Sequence, residues 1–181
     1  LKKMNNHNPL QSFEIPEKGL YFFSLGGIGE IGANCYIYGC DNKWLMIDLG
    51  ISFADERFPG IDLLLPEISF LDKIKKNLEA IIISHGHEDH AGALAYFIEK
   101  FDCPIYSTNF ANSLIKNKLK EFGKIHCGNL NIINPNESLK FNNFELSFIS
   151  TSHSIPEPYS IVINTKYGKL LHTSDWKIDT N

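Results

Sequence analysis

The chain has 181 residues, 43% hydrophobic and 21% charged, which is typical of a globular domain large enough to bury its own core. A formal net charge of −4 gives no sign of a basic surface for phosphates, which argues against a nuclease unless that surface lies elsewhere. The apolar runs are too short to span a membrane, and four cysteines without a CxxC pair indicate reduced thiols in a cytoplasmic protein.

The two ends of the chain differ from its middle. Residues 1–18 are polar, rich in Asn and Lys and without periodicity, so we expect a flexible leader there. We expect the chain to be a fragment, because the sequence begins with Leu1 and not Met, and stops at Asn181 without a closing element.

A strand, a glycine-rich loop and a hairpin are predicted at the start of the folded part. Leu20–Leu25 has the composition of a strand, and Gly26–Gly32 contains four glycines, which indicates a loop with close backbone approach. A dinucleotide-binding fingerprint is excluded because no helix follows these glycines. Cys35–Tyr38 and Trp44–Ile47 predict a hairpin, and Asp48 follows its second strand directly.

The middle of the chain is predicted to hold an irregular segment followed by the most apolar strand. Residues 51–68 contain two prolines and no period, which indicates a loop long enough to be functional. Phe70–Leu78 predicts a short helix, and the apolar run Ala80–Ile83 predicts a buried strand. Leu94–Phe101 repeats apolar residues at helical spacing, so a helix is expected there.

The last third of the chain predicts one more strand and helix, and then mostly strands. Pro104–Tyr106 predicts a short strand, and Thr108 is placed to cap a helix that ends near Glu121. Further strands are expected at residues 139–141, 144–149, 160–164 and 169–173. This order favours sheets covered by helices on their outer faces.

The segment Ser84–His90 places three histidines and two carboxylates directly after the buried strand. Side chains two residues apart in an extended turn point the same way, so His85 and His87 can bind one metal ion together. Asp89 and His90 lie at the start of a helix and can hold a second ion. Imidazole and carboxylate ligands suit zinc, manganese or iron, and pairs of such ions serve hydrolysis. The alternative is a charged turn that is only solvated.

Two further candidate ligands follow predicted strands, as the cluster does. His153 comes after the strand that ends near Ser150, and Asp175 comes after the strand that ends at Thr173. Sequence alone does not show that they converge on the cluster. His172 lies within an apolar strand, and we expect it to be a structural, hydrogen-bonded residue.

With these residues assembled, the chain resembles the ribonuclease J family, which has the metallo-β-lactamase fold and belongs to the β-CASP group of nucleases. The histidine motif alone is typical of the whole metallo-β-lactamase superfamily. The glycine loop, the H-S-I-P segment and the D-W-K ending make the resemblance specific to the ribonuclease J family. The matching segments are Leu25–Gly32, Ile47–Gly50, Pro59–Asp62, Ser84–Gly92, Ser152–Pro156 and His172–Lys177. They appear in the order of that family.

The resemblance implies an α/β fold, the αββα sandwich of the metallo-β-lactamases. Residues 19–181 would be the amino-terminal part of that domain, which is incomplete here because the β-CASP insert and the later half are absent. The ligands it implies are His85, His87 and His153 for a first zinc ion, and Asp89, His90 and the bridging Asp175 for a second. Asp48 is then a carboxylate that orients ligands, and manganese is an alternative metal. The final histidine ligand of the family has no counterpart in this chain, and Ser174 stands where the family has glycine.

The function that this resemblance implies is hydrolysis of RNA phosphodiesters during RNA processing and decay, from the 5′ end or internally. Two zinc ions about 3.5–4 Å apart would activate a shared hydroxide to attack phosphorus, with Asp48, Asp89 and Asp175 as the catalytic carboxylates. A thioester or lactone hydrolase and a non-catalytic binding module remain as alternatives. The expected partner is single-stranded RNA, with a second copy of the chain as an open possibility and no membrane.

Overall fold

The computed structural model describes residues 15–179. The predicted leader, residues 1–18, lies outside the described residues except for its last part, 15–18, which is irregular. No helix within 15–179 is both long enough and apolar enough to cross a membrane.

The elements follow the predicted order with several additions. The strands of residues 15–179 are β1 (Leu20–Gly26), β2 (Cys35–Cys40), β3 (Lys43–Ile47), β4 (Ser52–Phe53), β5 (Leu63–Leu64), β6 (Leu78–Ile83), β7 (Pro104–Ser107), β8 (Asn129–Ile132), β9 (Leu139–Lys140), β10 (Glu145–Ser150), β11 (Tyr159–Thr165) and β12 (Gly168–His172). The α-helices of the same part are α1 (Leu71–Ile74), α2 (Glu88–Ala91), α3 (Leu94–Phe97) and α4 (Asn109–Glu121).

Two sheets form the body of the molecule. The first has six strands in the order β1-β2-β3-β6-β7-β8, and the second has four in the order β12-β11-β10-β9. In the first sheet β1, β2 and β3 pair antiparallel, whereas β3, β6, β7 and β8 pair parallel. Parallel neighbours need a crossover, and each of these three crossovers carries a helix. The carboxyl ends of the parallel strands therefore share one edge of the sheet.

Strand β6 separates two hydrophobic cores. Ile81 and Ile83 pack in the core beneath the helices, whereas Ala80 and Ile82 pack in the core between the two sheets. All four are fully buried, which explains why the strand is apolar throughout instead of alternating. The layers are thus helices, sheet and sheet, and the second helical layer of an αββα sandwich is not found within residues 15–179.

The single helix predicted after the histidine cluster is wrong in detail, because the structure has two short helices, α2 and α3. The break occurs at Ala93, whose N–H donates to the carbonyl of Leu49 at 3.0 Å and not to its own helix. The structure also adds the small ribbon β4–β5 within the segment predicted to be irregular, and β8, where no strand was predicted. These strands are short and lack a clear alternating pattern.

Backbone hydrogen bonds join the loop after β3 to the turn that carries the histidine cluster. The N–H of Leu49 donates to the carbonyl of His90 at 2.7 Å. Gly50 donates to Asn34 at 2.9 Å, and Asn34 donates to Asp89 at 3.0 Å. A Cβ atom at Gly50 would lie only 1.6 Å from the carbonyl oxygen of Asp89. Three segments distant in sequence therefore meet so closely that only glycine fits at this position.

We predict that Gly50→Ala destabilises the protein by about 3 kcal/mol or more, because the added methyl group meets backbone that cannot move without breaking these bonds. The measurement is the free energy of unfolding in denaturant. Gly60→Ala is the matched control, because a Cβ there meets nothing within 4 Å and only a left-handed φ of +82° opposes it. We expect the control to cost about 1–2 kcal/mol, and equal losses in both variants would contradict the close approach.

Candidate metal centre

The predicted ligands come from loops and helix starts at one edge of the molecule. His85 and His87 lie on the turn after β6, and His90 lies in α2. His153 follows β10 and Asp175 follows β12, both from the second sheet. The convergence that the sequence left open is thus present in the structure.

Three histidines form the first group of potential ligands. The Nε2 atom of His85 lies 3.1 Å from Nδ1 of His87, and that same Nδ1 lies 3.2 Å from Nε2 of His153. One ligand atom from each residue lies within 4.8 Å of the others. Three imidazole nitrogens so close together are the donor set of a closely held divalent cation such as zinc.

A second group combines His85, His90 and Asp175, again with ligand atoms within 4.8 Å of one another. Asp175 also reaches the first group, because its Oδ1 is 3.4 Å from Nε2 of His90 and its Oδ2 is 3.5 Å from Nε2 of His153. A carboxylate in that position has one oxygen for each group. The geometry is compatible with the bridging role that the family resemblance implies for Asp175.

Asp89 lies beside these groups and belongs to neither. Its Oδ2 is 3.6 Å from Nε2 of His90, and it accepts a hydrogen bond of 3.3 Å from the amide of Asn34. The hydroxyl of Tyr36 donates to Oδ1 of Asn34 at 2.8 Å, which fixes the amide with its NH₂ group toward Asp89. Sequence reasoning assigned no role to Asn34, because nothing local indicates that the glycine loop reaches the cluster.

Asp48 is fully buried behind the histidines. Its Oδ2 accepts from Nδ1 of His90 at 2.7 Å and from the Ser84 hydroxyl at 2.9 Å, and Oδ1 accepts from the Ser84 N–H at 2.8 Å. Burial alone raises the pKa of this carboxyl, but the charge and hydrogen bond of His90 outweigh burial and hold the pKa below its ordinary value. Asp48 therefore acts on the cluster by orienting the ring of His90.

The electrostatics of the rings fit a bound cation. Burial lowers the pKa of His85 to about 3 and, together with the neighbouring His153, lowers the pKa of His87, so both rings offer lone pairs. Burial also lowers the pKa of His90, but Asp48 and then Asp175 outweigh it and raise the value to about 10. His90 without metal thus holds a proton among carboxylates. A divalent cation beside Nε2 of His90 would meet the same carboxylates in place of that proton, so the residues present fit a bound metal ion.

Ser174, where the family resemblance implies a glycine, has a left-handed φ of +53°. That conformation favours glycine over residues with a side chain. In this chain the Ser174 hydroxyl donates to the Ser84 hydroxyl at 2.7 Å and so joins the loop after β12 to the turn after β6. Ser174 thus provides a contact between the two sheets at the site.

Comparisons with known proteins agree with this architecture. Residues 28–176 match the Metallo-beta-lactamase superfamily. A ribonuclease J from Sinorhizobium meliloti is 37% identical over 184 residues, which cover 99% of this chain and 32% of that protein. A ribonuclease J 1 from Streptococcus pyogenes is 39% identical over 157 residues, which cover 87% of this chain and 28% of that protein. The chain thus spans about a third of the length of these relatives.

Solved structures show a likeness in fold. A protein of unknown function from Enterococcus faecalis superposes with a TM-score of 0.67 at 18% identity, over 87% of this chain and 44% of that one. The metallo-beta-lactamase fold protein YhfI from Bacillus subtilis superposes with a TM-score of 0.55 at 18% identity, over 85% of this chain and 61% of that one. At such identities the likeness concerns the fold alone.

We predict that Asp48→Asn weakens metal affinity by about ten- to a hundredfold without unfolding the protein, because it removes the charge that orients His90. Asn tolerates the left-handed φ of +62° at this position, so the backbone is not disturbed. The measurement is zinc affinity by competition with a chromophoric chelator, together with thermal unfolding.

Asp41→Asn is the matched control, since Asp41 also has a left-handed φ, of +47°, and lies away from the histidine cluster. It should leave zinc affinity unchanged. Full zinc affinity in Asp48→Asn would contradict an orienting role, and collapse of that variant would assign Asp48 to the fold alone.

Proposed function

The chain belongs to the metallo-beta-lactamase superfamily, and on that premise we propose that it carries the metal centre of a zinc-dependent ribonuclease related to ribonuclease J. The observation that supports this most is the convergence of His85, His87, His153 and Asp175 at one edge of the molecule. Similarity to ribonucleases J over nearly the whole chain supports RNA as the substrate class. Superfamily membership implies a divalent metal, and the nitrogen-rich donor set favours zinc over manganese.

The residues have distinct tasks in this proposal. The residues that would hold the ions are His85, His87 and His153 for one, and Asp89, His90 and Asp175 for the other. When bound, such a pair of cations lowers the pKa of a shared water and stabilises the charge that grows on a phosphate. Asp48 keeps Nδ1 of His90 hydrogen-bonded, so that Nε2 faces Asp175. Asp175 would link the two ion positions, because one of its oxygens lies near His90 and the other near His153.

The RNA itself is proposed to be held largely by other parts of a longer protein. A net charge of −4 supports this, because phosphate contacts by Lys and Arg supply most of the affinity for nucleic acids. Within the same proposal the RNA is single-stranded and is cut from the 5′ end or internally. Location in the cytoplasm, with free thiols, and assembly with further copies of the chain also belong to this proposal.

We predict that the protein binds one zinc ion firmly and a second weakly. The first ion would have three histidine ligands, whereas the second would have one histidine and two carboxylates, of which Asp175 is shared and Asp89 lies outside both compact groups. Metal analysis after dialysis, followed by zinc titration, measures both sites. Two ions bound with equal, high affinity by this chain alone would contradict the assignment.

We predict that a longer protein containing this chain hydrolyses end-labelled single-stranded RNA in the presence of zinc or manganese, and that residues 1–181 alone are nearly inactive. His87→Ala in the longer protein should abolish cleavage, because a ligand of the first group is lost. His126→Ala is the matched control, since that histidine is exposed and outside both groups, and it should retain activity. Rapid thioester or lactone hydrolysis without RNA cleavage would overturn the proposal.

A further inference from the structure

His172 connects the two sheets next to the metal centre. It lies in β12 of the second sheet and is only 8% exposed. Its Nδ1 atom lies 3.0 Å from the hydroxyl of Tyr38, which belongs to β2 of the first sheet. The His172 ring also packs edge-on against Tyr36 and Tyr38, with centroids 5.1 Å and 6.0 Å away. The ring is therefore held firmly on one side.

The other ring nitrogen of His172 is buried and has no hydrogen-bond partner among residues 15–179. A buried polar atom without a partner costs free energy, so native proteins seldom keep one without a reason. This Nε2 atom lies 4.0 Å from Oδ2 of Asp48. That separation is too long for a direct hydrogen bond, but it suits a charge–dipole contact or one bridging water.

His172 meets Asp48 through an electrostatic contact and not through a further direct hydrogen bond. Oδ2, the carboxylate oxygen nearest His172, already accepts from the Ser84 hydroxyl and from His90, whereas Oδ1 accepts only from the Ser84 N–H. Those three donors follow β6 in the chain and lie on the side of the first sheet. His172 adds an N–H from the second sheet.

We propose that Tyr38 and His172 are a positioning pair for Asp48, in which the Tyr38 hydroxyl donates to Nδ1 and thereby places the ring proton on Nε2, next to the carboxylate. The N–H stabilises Asp48 in the orientation that accepts from Nδ1 of His90. His90 is then presented with Nε2 toward Asp175. The inference rests on the proposed metal centre, and neither member of the pair belongs to the two groups of potential ligands.

The first test compares His172→Gln with His172→Met in zinc titrations of the protein, with zinc as the only added ligand. The amide nitrogen of Gln lies near the position of Nε2, so this variant keeps a donor, whereas Met fills the space without one. We expect Met to weaken the more weakly bound zinc about tenfold and Gln to keep most of the affinity. If His172 only packed, the apolar Met would be the better replacement, and its zinc affinity would equal or exceed that of Gln.

Asn164→Leu is the matched control, because it removes another buried polar atom, Oδ1, that has no hydrogen-bond partner in the described part of the chain and lies on β11 of the same sheet. It should change stability and leave zinc affinity unaltered. If it weakened zinc binding as much as His172→Met does, general loosening of the sheet would explain the effect and the proposal would be overturned.

The second test needs no substitution at His172. Nitrogen-15 NMR of the metal-free protein should show the Nε2–H tautomer of this ring, and Tyr38→Phe should shift it toward Nδ1–H. An Nδ1–H tautomer in the unsubstituted protein would overturn the proposal. Both tests leave RNA out, so absence of ribonuclease activity would contradict the proposed function without deciding this inference.

Discussion

The buried carboxylate of Asp48 is the interaction on which the rest of the site depends. It is fully buried and accepts hydrogen bonds from His90 and Ser84. A buried charge is tolerated only when its partners satisfy it, so Ser84 and His90 must occupy their observed positions whenever the molecule is folded. One residue at the end of β3 thus fixes the exit of β6 and the start of α2 together. The position of His90, a proposed metal ligand, thus depends on the pairing of β3 with β6 in the first sheet.

The proposed metal centre draws its ligands from both sheets, so its geometry depends on the packing between them. His85, His87 and His90 come from the first sheet, whereas His153 and Asp175 come from loops of the second. The core between the sheets includes Ile82 of β6 and Ile161 of β11. This core must form before the five side chains can meet. Metal binding should accordingly stabilise the packed state of the two sheets, because the unfolded chain has no such arrangement of ligands.

Local pattern made part of this architecture predictable. The apolar run before Ser84 predicted a buried strand, and the structure has β6 there. The spacing of His85 and His87 predicted that their rings lie side by side, and their ring nitrogens are 3.1 Å apart. The approach of Asn34 to Asp89 was not predictable, because it depends on backbone bonds between segments far apart in sequence. The break between α2 and α3 has the same cause. The hydrogen bond from Ala93 to Leu49, which are far apart in sequence, overrode the helical pattern of this segment.

X-ray diffraction at the zinc absorption edge, from crystals of the protein grown with zinc, tests the central claim most directly. We expect a strong anomalous peak bound by His85, His87 and His153, and a weaker one beside His90 and Asp175. Asp48 should stay out of contact with either ion while its carboxylate accepts from Nδ1 of His90. A peak bound directly by Asp48, or zinc bound away from these histidines, would contradict the account.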